Sequence, residues 1–293
     1  MLATDKSKLL SSHWKYYQNA IIPASPPHQP PPLLKESKKQ LFRQYPKALF
    51  IRWYSDYDCP EETTWWYCIK DSVYDPASMK AKRRYEITKG QRYFEVRKIS
   101  AREYAEALCT VWVESLRGYK GRDQMHINVP QQIRQIGAWD DASHLTVFGA
   151  FFRDTNQLCG FTLIAKQDVA IHLSSLKTIP EFEKYGVNAA LMDGVLSEYN
   201  PLIQQGYYIC DGARNVLHET NFQNYLERSF GFRKAYCRLH ICYRFGVGFC
   251  VKVLCLFRGM LKKLDSLAII HKINGIIAME TYREKPLRNR PTR

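Results

Sequence analysis

The stretch EKYGVNAALM, Glu183 to Met192, decides how the chain is read, because it joins a loop to a helix through a glycine. A helix beginning at Asn188 leaves its first backbone N–H groups without intrahelical partners, at the positive end of the helix dipole. Such a terminus can hold a phosphate or pyrophosphate. Lys184 adds a full charge, Gly186 lets the backbone approach the anion, and Ala189 and Ala190 keep the first turn narrow. Any strand-to-helix loop can contain a glycine, so the stretch alone fits an anion-binding helix start or an ordinary joint.

Its surroundings are regular. Tyr93 to Ile99 alternates as a strand, and Ala101 to Leu116 carries Tyr104, Leu108, Val111, Trp112 and Ser115 at helical spacing. LTVFGAFF, Leu145 to Phe152, and LCGFTLIA, Leu158 to Ala165, flank RDTNQ and predict a β-hairpin with a five-residue loop. VAIHLS, Val169 to Ser174, is a third strand. After the glycine, a helix from Asn188 to Tyr199 is expected to end or kink at Asn200-Pro201. A short strand at Tyr207 to Asp211, a helix at Asn221 to Ser229 and a long strand at Arg233 to Tyr243 complete the pattern. The order β-α-β-β-β-α-β-α-β predicts a mixed α/β sheet.

Ahead of this core, ALFIRWY (Ala48 to Tyr54) and TTWWYCI (Thr63 to Ile69) read as two further strands. Ser78 to Arg92 reads as a helix with Ser78 as its N-cap and Gly90 near its end. Lys80, Lys82, Arg83, Arg84, Lys89 and Arg92 make it the most basic stretch of the chain, either a solvated face or a phosphate contact. PASPPHQPPP, Pro23 to Pro32, reads as an extended spacer. The expected division is an N-terminal segment with this linker over 1–40, a strand and basic-helix extension over 41–92, the α/β domain over 93–245 and a basic amphipathic segment over 246–293.

The 293 residues carry 43 Lys plus Arg against 28 Asp plus Glu, and this excess of +15 favours phosphates, nucleic acid or anionic lipid as partners. The start lacks the apolar run of a secretory signal, and the nine cysteines stand singly with no Cys-x-x-Cys. A cytoplasmic protein with reduced thiols is expected. FGVGFCVKVLCLF, Phe245 to Phe257, is too short to span a bilayer. With Arg244, Lys252, Arg258, Lys262 and Lys263 it is either an element packed on the main domain or a basic, apolar one lying on the inner face of a membrane.

The order of elements, the glycine loop and the segment TNFQNYLERSFGF, Thr220 to Phe232, closing in Gly231-Phe232, together resemble the GNAT superfamily of acyl-CoA N-acyltransferases over Tyr93 to Tyr243. Ser78 to Arg92 resembles the Arg-Arg-Tyr-containing segment of its FemAB-like members, and the segment from Ala48 fits more loosely. The resemblance implies a mainly antiparallel sheet flanked by helices. VAIHLS and YYICD would splay to admit the pantetheine arm of acetyl-CoA or another acyl-CoA, with the arm pairing to backbone much as an added strand would. Leu173, Ser174, Lys184, Tyr185, Gly186, Val187, Asn188 and Ala189 would then bind the donor.

Acyl transfer to an amine needs a base for the amine proton, donors for the oxyanion and an acid for the departing thiolate. The superfamily commonly supplies that acid from a tyrosine four residues before the closing glycine. Here that position is Glu227, and Tyr225 lies two residues earlier. Tyr225 or a water would replace the usual acid, or transfer from another donor makes it dispensable. His172, Asp211 and His218 are the candidate bases, each with an equally ordinary structural role. His218-Glu219-Thr220-Asn221-Phe222 puts phenylalanine where a zincin needs its second histidine, so no metal is expected. The expected activity is N-acyl transfer to an amino sugar, a glycan or a cell-wall precursor. The alternatives are a FemAB-like transferase fed by aminoacyl-tRNA and a non-catalytic module binding nucleic acid or anionic lipid.

Overall fold

A computed structural model describes residues 13–31, 35–117, 128–216 and 221–283. Along the chain run β1 (Trp14–Tyr17), β2 (Ala20–Pro23), α1 (Lys35–Gln44), β3 (Phe50–Ser55), β4 (Trp65–Lys70), α2 (Ala81–Tyr93), β5 (Phe94–Ile99), α3 (Ala105–Leu116) and α4 (Val129–Gly137). There follow β6 (Leu145–Phe152), β7 (Gln157–Gln167), β8 (Ala170–Thr178), α5 (Pro180–Glu183), α6 (Val187–Ile203), β9 (Tyr208–Ala213), α7 (Asn221–Phe230) and β10 (Arg233–Tyr243). Three C-terminal helices, α8 (Val247–Leu256), α9 (Arg258–Lys263) and α10 (Ala268–Tyr282), end the described chain. The mixed α/β class is that of the structure, and the expected core elements occur in the expected order with two unforeseen helices, α4 and α5, inserted among them.

The chain forms two compact units. One comprises 1–68, 213–221 and 234–293; the other comprises 69–212 and 222–233. The first holds the strand order β1-β2-β3-β10-β4, with Trp65 to Cys68 of β4 belonging to it. β1 and β2 are antiparallel, β2 and β3 parallel, and β3 pairs antiparallel with β10 from Phe50↔Tyr243 to Ser55↔Arg238. Its core gathers Phe50, Tyr54, Trp65, Cys237, Leu239 and Ile241, against which Ile276, Met279 and Tyr282 of α10 pack. Pro26, Pro27 and Pro31 are buried in this unit. Residues 23–31 of the proline stretch therefore pack as part of a folded unit rather than as the spacer expected from composition, and Pro32 lies outside the described residues.

The second unit holds the order β9-β8-β7-β6-β5, antiparallel except for the parallel pair β8/β9. Alternation along β6 sends Val147 and Phe151 into a core with Leu108 and Val111 of α3, and Ala150 into a core with Val187, Ala190 and Leu191 of α6. Helices therefore cover both faces, as a sheet with two apolar faces requires. The β6/β7 turn spans residues 153–156, one residue shorter than expected, with Asn156 at φ 54°. The next turn is tighter still: Gln167 pairs with Ala170 across Asp168 at φ 52°, a left-handed position that Asp tolerates.

Three expected helix boundaries shift by two residues or more, the first being that of α3, which starts at Ala105 rather than Ala101. α2 starts at Ala81 with Lys80 as its N-cap, because Ser78 closes a preceding 3₁₀ turn and its Oγ donates to Asp75 O. α6 runs through Pro201 to Ile203. Proline at 201 withdraws the hydrogen bond that Ser197 O would accept, but both residues are exposed, so water can satisfy that carbonyl. On the inner side Asn200 fixes the turn by accepting from Tyr74 N at 2.8 Å and donating to Tyr74 O at 2.9 Å.

Candidate functional site

The site lies in the second unit, where β8 and β9 part. They pair only at Ala170↔Tyr208, Ile171↔Ile209 and His172↔Cys210, while β8 continues to Thr178. Among the described residues, no β9 residue pairs with Leu173 to Thr178. Register against β7 jumps from Leu163↔Ser175 to Ile164↔Leu173, so Ser174 is the extra residue of a β-bulge. Leu173 is buried and Ser174 exposed. Among the described residues the β8 edge thus has no strand partner beyond His172, and an extended ligand could add there as a strand.

Asp211 is the first residue past the last pair, and it is half-buried. Burial raises its pKa to about 7, against the lowering effect of a hydrogen bond from the Gln223 side chain of α7. His172 aligns with Cys210. Strand alternation puts their side chains on one face and that of Asp211 on the other, so these two candidate bases do not converge. His218 lies outside the described residues.

Tyr225 of α7 is held between α2 and its own helix neighbours. The Arg83 guanidinium lies 5.6 Å from its ring centroid and Arg83 pairs with Glu86, while Phe230 packs edge-on at 5.5 Å. Burial and Glu86 push its phenol up to about 12, with Arg83 opposing. It remains protonated at neutral pH, able to donate a proton but not to take one. Glu227, two residues on and therefore on nearly the opposite side of α7, is half-buried and lines a different space.

That space is a cleft of about 660 Å³ at the C-terminal end of α7, with Lys70, Tyr74, Lys80, Arg83, Glu227 and Ser229 among its lining. Lys70 is buried at the end of β4, donates to Ser72 Oγ at 2.7 Å, and has its pKa lowered by that burial. Sequence reasoning passed over Lys70, although a lysine closing the apolar run WWYCIK was a usable signal. It also missed Asp193, a buried carboxylate of α6 that accepts from Tyr74 Oη and Gln91 Nε2, each at 2.8 Å. Nothing local marks Asp193, since its partners are 119 and 102 residues away.

The glycine joint has a structural task. Gly186 caps α6 at φ 89°, and Gly90 of α2 lies so close that a Cβ there would stand 2.7 Å from Gly186 O and 3.0 Å from Ala190 N. Two glycines thus let α2 and α6 meet backbone to backbone. Val187 and Ala189 are buried, Lys184 is exposed with its Nζ 5.0 Å from the Tyr185 ring centroid, and Tyr185 packs on Tyr93 and Phe152. Asn188 Oδ1 and Glu183 Oε1 lie 3.3 and 3.4 Å from Thr178 Oγ1. The first intrahelical bond runs from Ala190 N to Gly186 O, so the N–H groups of residues 187–189 precede the ladder. Among the described residues no cluster of His, Cys, Asp or Glu could hold a metal ion, and no helix is long and apolar enough to cross a membrane.

No family model matches the chain, and no curated protein matches it. Among solved structures, the chain is similar to L-PGS from Bacillus licheniformis, at 14% identity over 80% of each chain and a TM-score of 0.44. It is similar to FemX at 10% identity, over 69% of this chain and 75% of that one, with a TM-score of 0.45. A tandem GNAT protein from the clavulanic acid biosynthesis pathway is similar at 9% identity, over 77% and 75%, with a TM-score of 0.45.

Proposed function

We propose that the chain is an N-acyltransferase that moves an acyl group from an acyl-CoA thioester to a primary amine, carried by an amino sugar, a glycan or a cell-wall precursor. The observation that carries the reading is a carboxylate of near-neutral pKa, Asp211, placed next to the point where the β8 edge opens. The pantetheine arm would add along Leu173 to Thr178, and its pyrophosphate would lie by Lys184 and the N–H groups of residues 187–189. The amine nitrogen attacks the thioester carbon, so a C–N bond forms and the C–S bond breaks. Asp211 takes the amine proton, and the departing thiolate receives one from Tyr225 or water.

The cationic cleft supports a second reading within the same chemistry. Lys70, Lys80, Lys82, Arg83 and Arg228 outnumber Asp75 and Glu227 around it, which suits the phosphates of an aminoacyl-tRNA donor. Thermal-shift titration separates the two. Stabilisation by micromolar acetyl-CoA or longer acyl-CoA, abolished by Gly186→Asp, supports the first; salt-sensitive binding of tRNA without any response to CoA supports the second. No response to either leaves neither reading standing, and the non-catalytic module takes their place.

A further inference from the structure

The C-terminal helices of the first unit present a surface that the proposed chemistry does not use. Inward, Val251 of α8 and Leu261 of α9 are buried. Outward, Phe245, Phe249, Val253, Leu256, Phe257 and Met260 are exposed, Phe245 fully, Phe249 at 74% and Leu256 at 80%. Phe249, Val253 and Leu256 stand at i, i+4 and i+7, one face of α8. A helix apolar on both sides has claimed only one of them within its own unit, and exposed apolar residues grouped in this way mark an interaction site.

The platform beneath is firm. Asn274 of α10 donates to Leu261 O at 3.1 Å and to Asp265 Oδ1 at 2.7 Å, and His271 Nδ1 meets Asp265 Oδ2 at 2.9 Å. These bonds fasten the end of α9 to α10, whose own inner residues pack on the Trp65 core.

Charge selects the occupant. Lys252, Arg258, Lys262 and Lys263 are exposed among the apolar residues, and no carboxylate occurs in the sequence between Glu227 and Asp265. Arg244 is not one of these cations, because its guanidinium donates to the carbonyls of Phe42, Tyr45 and Ala48. A second copy docking through the same face in a two-fold contact would set cation against cation. An anionic bilayer offers complementary charge together with an apolar interior for the aromatic side chains.

We infer that α8 and α9 lie in the interface of an anionic membrane, with Phe245, Phe249, Leu256 and Phe257 inserted and Lys252, Arg258, Lys262 and Lys263 at the headgroups. The test is co-sedimentation of the full chain with 100-nm vesicles of phosphatidylcholine and phosphatidylglycerol at three to one, against pure phosphatidylcholine. Binding is expected to the anionic vesicles. K262E/K263E should weaken it by at least about tenfold, since each cation near such a surface is worth roughly a factor of five. F249S/L256S should weaken it at least as much, and both variants should keep the wild-type melting temperature because the substituted side chains are exposed. Equal partitioning into both vesicle types, or variants that bind like wild type, would overturn the inference. So would a dimer in sedimentation equilibrium that F249S/L256S dissociates while wild type ignores the anionic vesicles, because a second copy would then own the face.

Discussion

Replacing Asp211 by Asn tests the site through stability and catalysis at once. Asn keeps the shape and can still accept the hydrogen bond from Gln223, but removes the charge. Moving the carboxyl from 3.8 to about 7 corresponds to about 4 kcal/mol of differential preference for the neutral form. The sign follows from proton binding: the folded chain holds this proton more tightly than the unfolded one, so wild-type stability falls as pH rises from about 4 to about 7 and levels off above. Asp211→Asn is free of that penalty. The two proteins should be similar near pH 4 and diverge to as much as about 4 kcal/mol in favour of the variant at pH 8.5, roughly 1 M in urea midpoint if m is about 3 kcal/mol/M. In turnover the same variant should lose about 10²–10⁴ in kcat with little change in KM for the thioester, while wild-type kcat/KM climbs with pH through a midpoint near 7 to a plateau above it. Carboxyl NMR placing the Asp211 titration near 4, with no stability gain in the variant at pH 8.5, would refute the reasoning. A stabilised variant of undiminished activity would keep the electrostatics and remove Asp211 as the base.

Further outcomes follow from other contacts. Tyr225→Phe should reduce kcat by about 10-fold or more at unchanged KM if the phenol serves the departing thiolate, and wild type should show no falling alkaline limb below pH 10 because the phenol titrates at about 12; a limb near pH 8.5 absent from the variant would contradict this. Gly90→Ala should lower the urea midpoint by about 1–3 kcal/mol equivalent, opposite in sign to the gain expected at an open helical glycine, because its Cβ would enter the Gly186 carbonyl. Asp193→Ala should destabilise by about 2–4 kcal/mol by orphaning Tyr74 Oη and Gln91 Nε2, and Tyr74→Phe by about 1 kcal/mol; in equilibrium unfolding, equal losses for the two would show that the network is not hydrogen-bonded as described.

What the sequence made legible is what depends on period. Alternation in LTVFGAFF and the 3.6 spacing of Leu108 and Val111 located strands and helices because burial on one face writes itself into neighbouring positions. The glycine loop was legible as a helix start, yet its physical reason was not, because Gly90 contacts it from 96 positions earlier in the chain. Asp211 could be named as an acidic residue at a strand end, whereas its near-neutral pKa comes from burial in the fold, opposed by a hydrogen bond from Gln223 in the next helix. His172 and Asp211 looked interchangeable as bases until the register fixed them on opposite faces. Such non-local terms set the chemistry of a side chain: a carboxylate reaches a near-neutral pKa through burial, which its neighbours in sequence do not reveal. The splay that exposes the β8 edge begins at Asp211 itself, the first residue past the last β8/β9 pair, and left-handed Gly212, φ 104°, follows it within β9. A substitution that extended β8/β9 pairing past Cys210 would therefore close the edge and change the environment of the proposed base together, so donor binding and the pH midpoint should shift as one.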